Sequence, residues 1–225
     1  MRVALKNYSN KMYKLSIIAL LLVIKVHPLL GQNDWKLKTE KEGIKVYAGV
    51  VPDSKIKAVK AVGEYNATPT ELVALLMDIK TSPDWVYHVK SCKMISQVSP
   101  SELYYYLEIS VPWPASNRDL VVHLKVSQDP DTKVITIDAP AVPGLVPVKK
   151  GIVRIDESTG KWTITPLSTD QIRVEYMVHV NPGGSVPSWV VNLFATEGPL
   201  DIFKHIKLEL QKDAYKNTVL SYLKN

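Results

Sequence analysis

Between residues 103 and 180 the chain runs in short stretches that alternate apolar and polar positions. In 120–127, Leu120, Val122, Leu124 and Val126 share one face, opposite Val121, His123 and Lys125. In 171–180, Ile172, Val174, Tyr176, Val178 and Val180 oppose Arg173, Glu175, Met177 and His179. In 103–111, Tyr105, Leu107 and Ile109 oppose Tyr104, Tyr106 and Glu108. A period of two is the mark of a half-buried strand, so these stretches predict a sheet with one dry face and one mostly wet face. Further strands are predicted at 133–138, 150–156 and 161–165. Three more are predicted between 34 and 67, punctuated by Gly43 and Pro52-Asp53-Ser54. Short turns such as Asp129-Pro130-Asp131 and Ser158-Thr159-Gly160 argue for antiparallel pairing.

Two stretches switch to a helical period. Thr68-Pro69-Thr70-Glu71 has the form of a capping box with proline at the first helical position, and Leu72, Leu75, Leu76 and Ile79 then fall on one face. Ser82-Pro83 ends that run. After Asn181-Pro182-Gly183-Gly184, Ser185 is placed to cap a long helix with Pro187 in its first turn. Val190, Leu193, Phe194, Leu200, Phe203, Ile206 and Leu210 recur there at intervals of three or four, apart from one longer gap. Gly198-Pro199 is predicted to kink or divide this helix. The order is three strands, helices, six strands and a long helix, an α+β arrangement with helices on one face of the sheet. The pattern alone is compatible with a filled core or with a cavity under the dry face.

Composition changes the picture at the amino terminus. Residues 1–14 are basic and contain no acid, SIIALLLVI follows, and KVHPLLGQ leads out. This is the layout of a secretory signal, with cleavage placed after Gly31 and Met12 as a second possible start; an uncleaved anchor or buried helix is the alternative. No segment reaches the ~18 consecutive apolar residues of a membrane-spanning helix. The sequence pI of 9.2 belongs mostly to this leader. Without its five basic residues, 23 basic and 22 acidic residues remain, a net of +1. Nucleic-acid binding therefore loses its compositional support. The expected organisation is a signal peptide at 1–31, one domain at 34–212 and a tail or helix extension at 213–225, monomeric and exported to the periplasm or outside the cell.

Candidate chemistry is sparse. Cys92 is the only cysteine, which excludes an intrachain disulfide and reads as a small core residue. The histidines at 27, 88, 123, 179 and 205 show no metal-ligand spacing. No nucleophile-elbow GxSxG is present, and Asn181-Pro182-Gly183-Gly184 lacks the lysine of a phosphate loop. No cofactor is implied. Trp85, Trp113 and Trp189 read as core or rim aromatics, and Lys204, Lys207 and Lys212 as a basic side of the long helix open to a membrane surface or to water. Arg118-Asp119 begins a strand, so the two side chains point to opposite faces, Arg118 to the dry one and Asp119 to the wet one. Each anchors a loop through charge-assisted hydrogen bonds, or Arg118 borders whatever space lies under the dry face.

Four motifs in order resemble the START domain, the lipid-transfer module of the helix-grip superfamily: WKLKTEKEGIKVYAGVV, SPDWVYHV, VPWPASNRDLVV and NPGGSVPSWVVNLFATEGP. The resemblance covers residues 34–210. It implies a helix-grip fold, a curved antiparallel sheet wrapped around a long carboxyl-terminal helix, with an apolar tunnel for one lipid or other hydrophobic small molecule between them. On that basis Tyr105, Leu107, Arg118, Leu120, Val122, Leu124 and Tyr176 are expected on the tunnel wall, with Trp189 and Phe194 on the helical lid. Some sterol-carrying members place an acid–base pair at the positions of Tyr105 and Leu124. Neither is charged here, so a cholesterol-type ion pair is absent and the ligand stays open. The implied function is carriage or sensing of a hydrophobic ligand without catalysis; the alternative is an enzyme of the wider superfamily, of cyclase or hydrolase type.

Overall fold

The computed structural model describes residues 35–54 and 56–224, and the predicted leader lies outside them. Strands β1 (Lys36–Lys41), β2 (Ile44–Gly49) and β3 (Ala58–Tyr65) lead to helix α1 (Pro69–Met77). A 3-10 turn (Ile79–Thr81) and the four-residue α2 (Ser82–Trp85) follow. The chain then forms β4 (Val89–Ser99), β5 (Glu102–Ile109), β6 (Arg118–Gln128), β7 (Ile135–Asp138), β8 (Val153–Arg154), β9 (Glu157–Pro166) and β10 (Ile172–Asn181). It closes with α3 (Ser188–Glu209) and a 3-10 turn at Asp213–Tyr215.

The strands form one sheet in the order β1-β2-β3-β10-β9-β7-β6-β5-β4, with β8 paired to β6. All pairs are antiparallel except the two-residue β6–β8 contact. The sheet is curved, and its edges are β1, with Lys36, Lys38 and Lys41, and β4, with Lys90 and Lys93. Lysines on edge strands oppose pairing with another chain.

Several expectations need correction. β4 was not legible in the sequence: its register slips at three places, so no steady alternation survives. The strand expected over 150–156 shrinks to Val153–Arg154. Ser82-Pro83-Asp84-Trp85 forms a helical turn instead of only ending one. Ser185 does not cap the long helix, which begins at Ser188 after Pro187. Gly198-Pro199 does not divide it either: α3 runs unbroken for 22 residues with Pro199 inside. Proline removes one helical hydrogen bond, but Gly198, Pro199 and Leu200 are all buried here, and tertiary packing holds the helix together.

The cap of α1 is as the sequence reads. The Glu71 amide donates to the Thr68 hydroxyl (3.3 Å), and the Thr68 amide donates to the Glu71 carboxylate (3.0 Å). The other Glu71 oxygen accepts from the Asn217 amide (3.1 Å), which ties the carboxyl-terminal tail to α1. The far end of that tail is held by Gln128, whose side chain exchanges two hydrogen bonds with the Lys224 backbone.

Helix α3 is fixed to the sheet at Phe203. Gly63 on β3 has no Cβ, and a Cβ built there would lie 3.1 Å from the Phe203 ring. The Tyr65 hydroxyl donates to the Phe203 carbonyl (2.9 Å), and Trp162 lies nearly parallel to the Phe203 ring at 6.1 Å. Around this point Ile135, Ile137, Ile164, Ile172, Val174 and Ile206 are fully buried and form one cluster with the apolar face of α1. Replacing Phe203 by Ala is expected to cost about 3–5 kcal/mol of unfolding free energy. Urea denaturation followed by tryptophan fluorescence checks this, and a loss below about 1 kcal/mol would contradict the anchoring role.

Candidate functional site

The inner face of the sheet divides into two halves. Leu103 and Leu124 face each other across β5 and β6 and belong to the packed cluster, 1% and 4% exposed. Further along the same strands Tyr105 pairs with Val122, Leu107 with Leu120 and Ile109 with Arg118. Here Leu120, Val122 and Ile155 are buried, but Tyr105, Leu107, Ile109, Ala139, Ala141 and Val180 around them are only half-buried. β5, β6 and β10 are interior strands, so inward apolar residues on them stay half-exposed only where the covering layer leaves space. The long helix explains it. Its backbone runs close to β1, β2, β3 and α2 and makes no comparable approach to β5, β6 or β10.

Two phenols stand where the packed and open halves meet: Tyr105 packs against both clusters and Tyr176 against the larger one. Tyr105 and Tyr176 are half-buried, and neither hydroxyl has a hydrogen-bond partner among the described residues. The one fully enclosed polar side-chain atom without a partner there is the Trp85 indole nitrogen. The two hydroxyls are therefore not sealed off from space that a water molecule can enter. Burial nonetheless pushes both up: Tyr105 lies far above the usual phenol range, with lesser contributions from Cys92 and Tyr176, and Tyr176 reaches about 12. Trp162 stacks on Tyr176 at 4.1 Å and fixes its ring. Cys92 lies beside them, its thiol pushed up by burial to about 11.

The start of the lid helix is held by aromatic contacts. Phe194 meets Tyr87 edge-on at 5.5 Å and lies 5.6 Å from His88, and the Tyr87 ring also packs on Gly198. Trp189 is 51% exposed on the first turn of α3 and joins none of the inward residues. Sequence reasoning missed Tyr87, His88, Ile109, Ala141, Trp162 and Val180 as neighbours of the site. Ile109 and Val180 carried the inward parity; the others sit in turns or stack laterally, which periodicity does not register.

Arg118 and Asp119 separate as their parity requires. Arg118 is buried, 4% exposed. It donates from Nε to the Pro182 carbonyl (3.3 Å), from Nη2 to the Gly183 carbonyl (3.2 Å) and from Nη1 to the Ser116 carbonyl. Gly183 and Gly184 take left-handed conformations (φ +62° and +57°), which turn the chain so that these carbonyls face the guanidinium. Burial holds the Arg118 pKa below its usual range.

Asp119 corrects the expectation of a wet outer face, because it is 1% exposed. Its carboxylate accepts from Arg154 Nε (2.7 Å) and Nη2 (3.2 Å) and from the Tyr106 hydroxyl (3.0 Å). Glu108, also buried, accepts from Lys90 (2.8 Å) and Asn117 (3.3 Å), and Lys149 sits 4.2 Å above the Tyr106 ring. Arg154 reaches on to the carbonyls of Val146 and Pro147. The loops 110–117 and 139–152 are thus tied over the outer face, and the wet pattern there marks an ion cluster under a loop. Trp113 sits at the tip of the first of these loops, 88% exposed, and is no core residue.

A separate groove of about 880 Å³ lies between the second half of α3 and β1–β3. Its lining mixes ion pairs, Glu42 with Lys204 (2.6 Å) and Glu64 with Arg173 (2.8 Å), with apolar residues such as Val62 and Leu208, so it is more charged than the inner face.

Tyr105 and Tyr176 make alkaline stability a test of this geometry. An unfolded tyrosine loses its proton near pH 10, whereas Tyr176 keeps its proton to about 12. Above pH ~10 the unfolded state binds fewer protons, so stability falls as pH rises. The Tyr105→Phe/Tyr176→Phe double variant is expected to flatten the fall of the thermal midpoint between pH ~10 and ~12 without lowering it at pH 7. An unchanged slope would place both phenols in water.

Comparison with known proteins agrees with this architecture. The START domain family model matches residues 26–215. An uncharacterized protein of Pseudomonas aeruginosa is 34% identical over 180 residues, covering 80% of this chain and 88% of that protein. Mouse phosphatidylcholine transfer protein is 28% identical over 182 residues, 79% of this chain and 84% of its own length. The crystal structure of a STAR-related lipid transfer protein fragment from Xanthomonas axonopodis superposes with a TM-score of 0.73 at 34% identity, covering 79% of this chain and 99% of that one. With its ten-stranded curved sheet, its long closing helix and a family match over most of its length, this chain belongs to the START domain family.

Proposed function

We propose that this protein binds one lipid or other hydrophobic molecule between α3 and the β5–β6–β10 part of the sheet, and carries or senses it without chemical conversion. The observation that supports this most directly is the half-buried state of inward apolar residues on interior strands, Leu107, Ile109 and Val180 among them. A bound hydrocarbon gains about 0.8 kcal/mol per methylene taken from water, so such a wall needs no covalent chemistry to hold a ligand. The Tyr105 and Tyr176 hydroxyls are the polar groups available to orient it. Two relatives, a phosphatidylcholine transfer protein and a STAR-related lipid transfer protein, favour transfer over catalysis. Export through the leader to the periplasm or beyond, as a monomer, is part of the proposal.

Transfer requires brief contact with a membrane. Trp113, Leu145, Val148 and Trp189 are at least half exposed. They lie on the segments that Arg118 and Arg154 tie together at one end of the sheet or at the start of the adjoining helix. Lys150 is exposed on the same loop as Val148. Indole rings suit the headgroup region of a bilayer, and we assign this end of the molecule to that contact.

Native mass spectrometry of the delipidated protein after exposure to a lipid panel tests the reading. One lipid per chain is expected; no adduct from any class would overturn it. Leu107→Trp adds bulk to the open half. It is expected to lower lipid occupancy by about tenfold, the equivalent of 1.4 kcal/mol, with no loss of thermal stability. A core already filled would instead respond by losing about 1–3 kcal/mol of stability. Trp113→Ala is expected to slow transfer between vesicles while leaving equilibrium occupancy unchanged.

A further inference from the structure

Arg118 is the only buried cation among the described residues and, with Glu71, which backbone amides hold at the start of α1, one of the two buried charges there without an ionic partner. Asp119 has Arg154, Glu108 has Lys90, and Glu209 has Lys212 at 2.6 Å. No carboxylate among the described residues lies within ion-pair distance of Arg118, although the residue is only 4% exposed. Buried charges are normally paired, because an isolated one loses its hydration without compensation. The three backbone carbonyls solvate it in part. A guanidinium carries five N–H donors, so with three engaged, two remain on Nη1 and Nη2.

The position gives this unbalanced charge a direction. Arg118 shares the inward face of β6 with Leu120 and Val122, and faces Ile109 across the pair with β5. It stands at the end of the open half where the turn before α3 begins. Tyr105 faces Val122, four residues along β6, about 13 Å away at ~3.3 Å per residue. The wall between them is aliphatic. The geometry is a cation at the rim, a dry wall inward of it, and two phenols beyond.

We propose that the ligand is an amphiphile with an anionic oxygen head, a carboxylate or phosphate, which pairs with the free edge of the Arg118 guanidinium while its chain lies along Leu120 and Val122. This rests on the hydrophobic-ligand reading above and names the class of ligand. Planar guanidinium suits such heads because two parallel N–H groups meet two oxygens. The same three carbonyls keep Arg118 from following the head into the chain-binding space.

The test compares ligands that differ only in head charge: oleate against oleyl alcohol, and dioleoyl phosphatidate against dioleoylglycerol. Each is titrated into the delipidated full-length protein and read by native mass spectrometry and thermal shift. Occupancy by the anionic member of a pair is expected to exceed that of the neutral one by about tenfold or more, as a charge-assisted hydrogen bond provides. Arg118→Met should abolish this preference and retain binding of the neutral member; Arg118→Lys should retain part of it. Should the Met variant fail to fold, the wild-type head comparison and the Lys variant still decide. Equal binding of charged and neutral members by the wild type overturns the inference and leaves the hydrophobic-ligand reading standing. Binding of neither member of either pair, nor of any other lipid, overturns both. Inorganic phosphate alone is expected to leave the midpoint unmoved; a rise matching that of phosphatidate would assign Arg118 to the free anion and overturn the amphiphile.

Discussion

The architecture turns on the contact of Phe203 with Gly63. A ring pressed onto a strand at a residue without a Cβ brings α3 as near to β3 as backbone allows, and the Tyr65–Phe203 hydrogen bond fixes its height. A single helix so placed covers β1–β3 well. It cannot also lie close to β5 and β6, several strands away around a curved sheet. α1 fills part of the difference and seals the Leu103–Leu124 end. What remains is a stretch of apolar wall that no element among the described residues covers tightly.

A second constraint holds that wall open. At the same end of the sheet, polar groups are buried on the outer face while several apolar groups on the inner face, Leu107, Ile109 and Val180 among them, are only half-buried. Asp119, Arg154, Tyr106, Glu108 and Lys149 form one connected cluster under the loops. A buried ion pair is weak evidence of net stability, but losing one partner is costly because the other charge is stranded. The cluster therefore fixes where the loops lie more than it strengthens the fold. Arg118 does the same work on the inner side, through carbonyls, on the turn that delivers the lid helix. The rim is thus rigid on the sheet side and held on the helix side by aromatic contacts of Phe194 with Tyr87 and His88.

This gives the proposed ligand a physical role: it completes a core that the chain leaves unfinished. The dry face has fewer covering side chains than it needs, and its polar groups, two phenols and one arginine, have hydrogen-bonding capacity that the protein does not use. A ligand that supplies both apolar area and a polar head satisfies each deficit at once.

The sequence by itself determined the strands with steady alternation, the capping box at Thr68–Glu71, the period of the closing helix and the family resemblance. These are local facts, written in residues near one another. It also placed Tyr105, Leu107, Leu120, Val122 and Tyr176 on the inward face, since parity follows from strand geometry. It did not reveal β4, where bulges erase the period, or the continuity of α3 through Pro199, where packing outweighs a local helix breaker. Nor did it distinguish Leu124, in the packed half, from Leu120 and Val122, in the open one, because all three share one parity. That difference depends on which part of the sheet the helix reaches. The same holds for Arg118 and Asp119: sequence sent them to opposite faces, but only the tertiary structure gave Asp119 a counter-ion and left Arg118 without one, because Arg154 arrives from a strand that pairs on one side of β6.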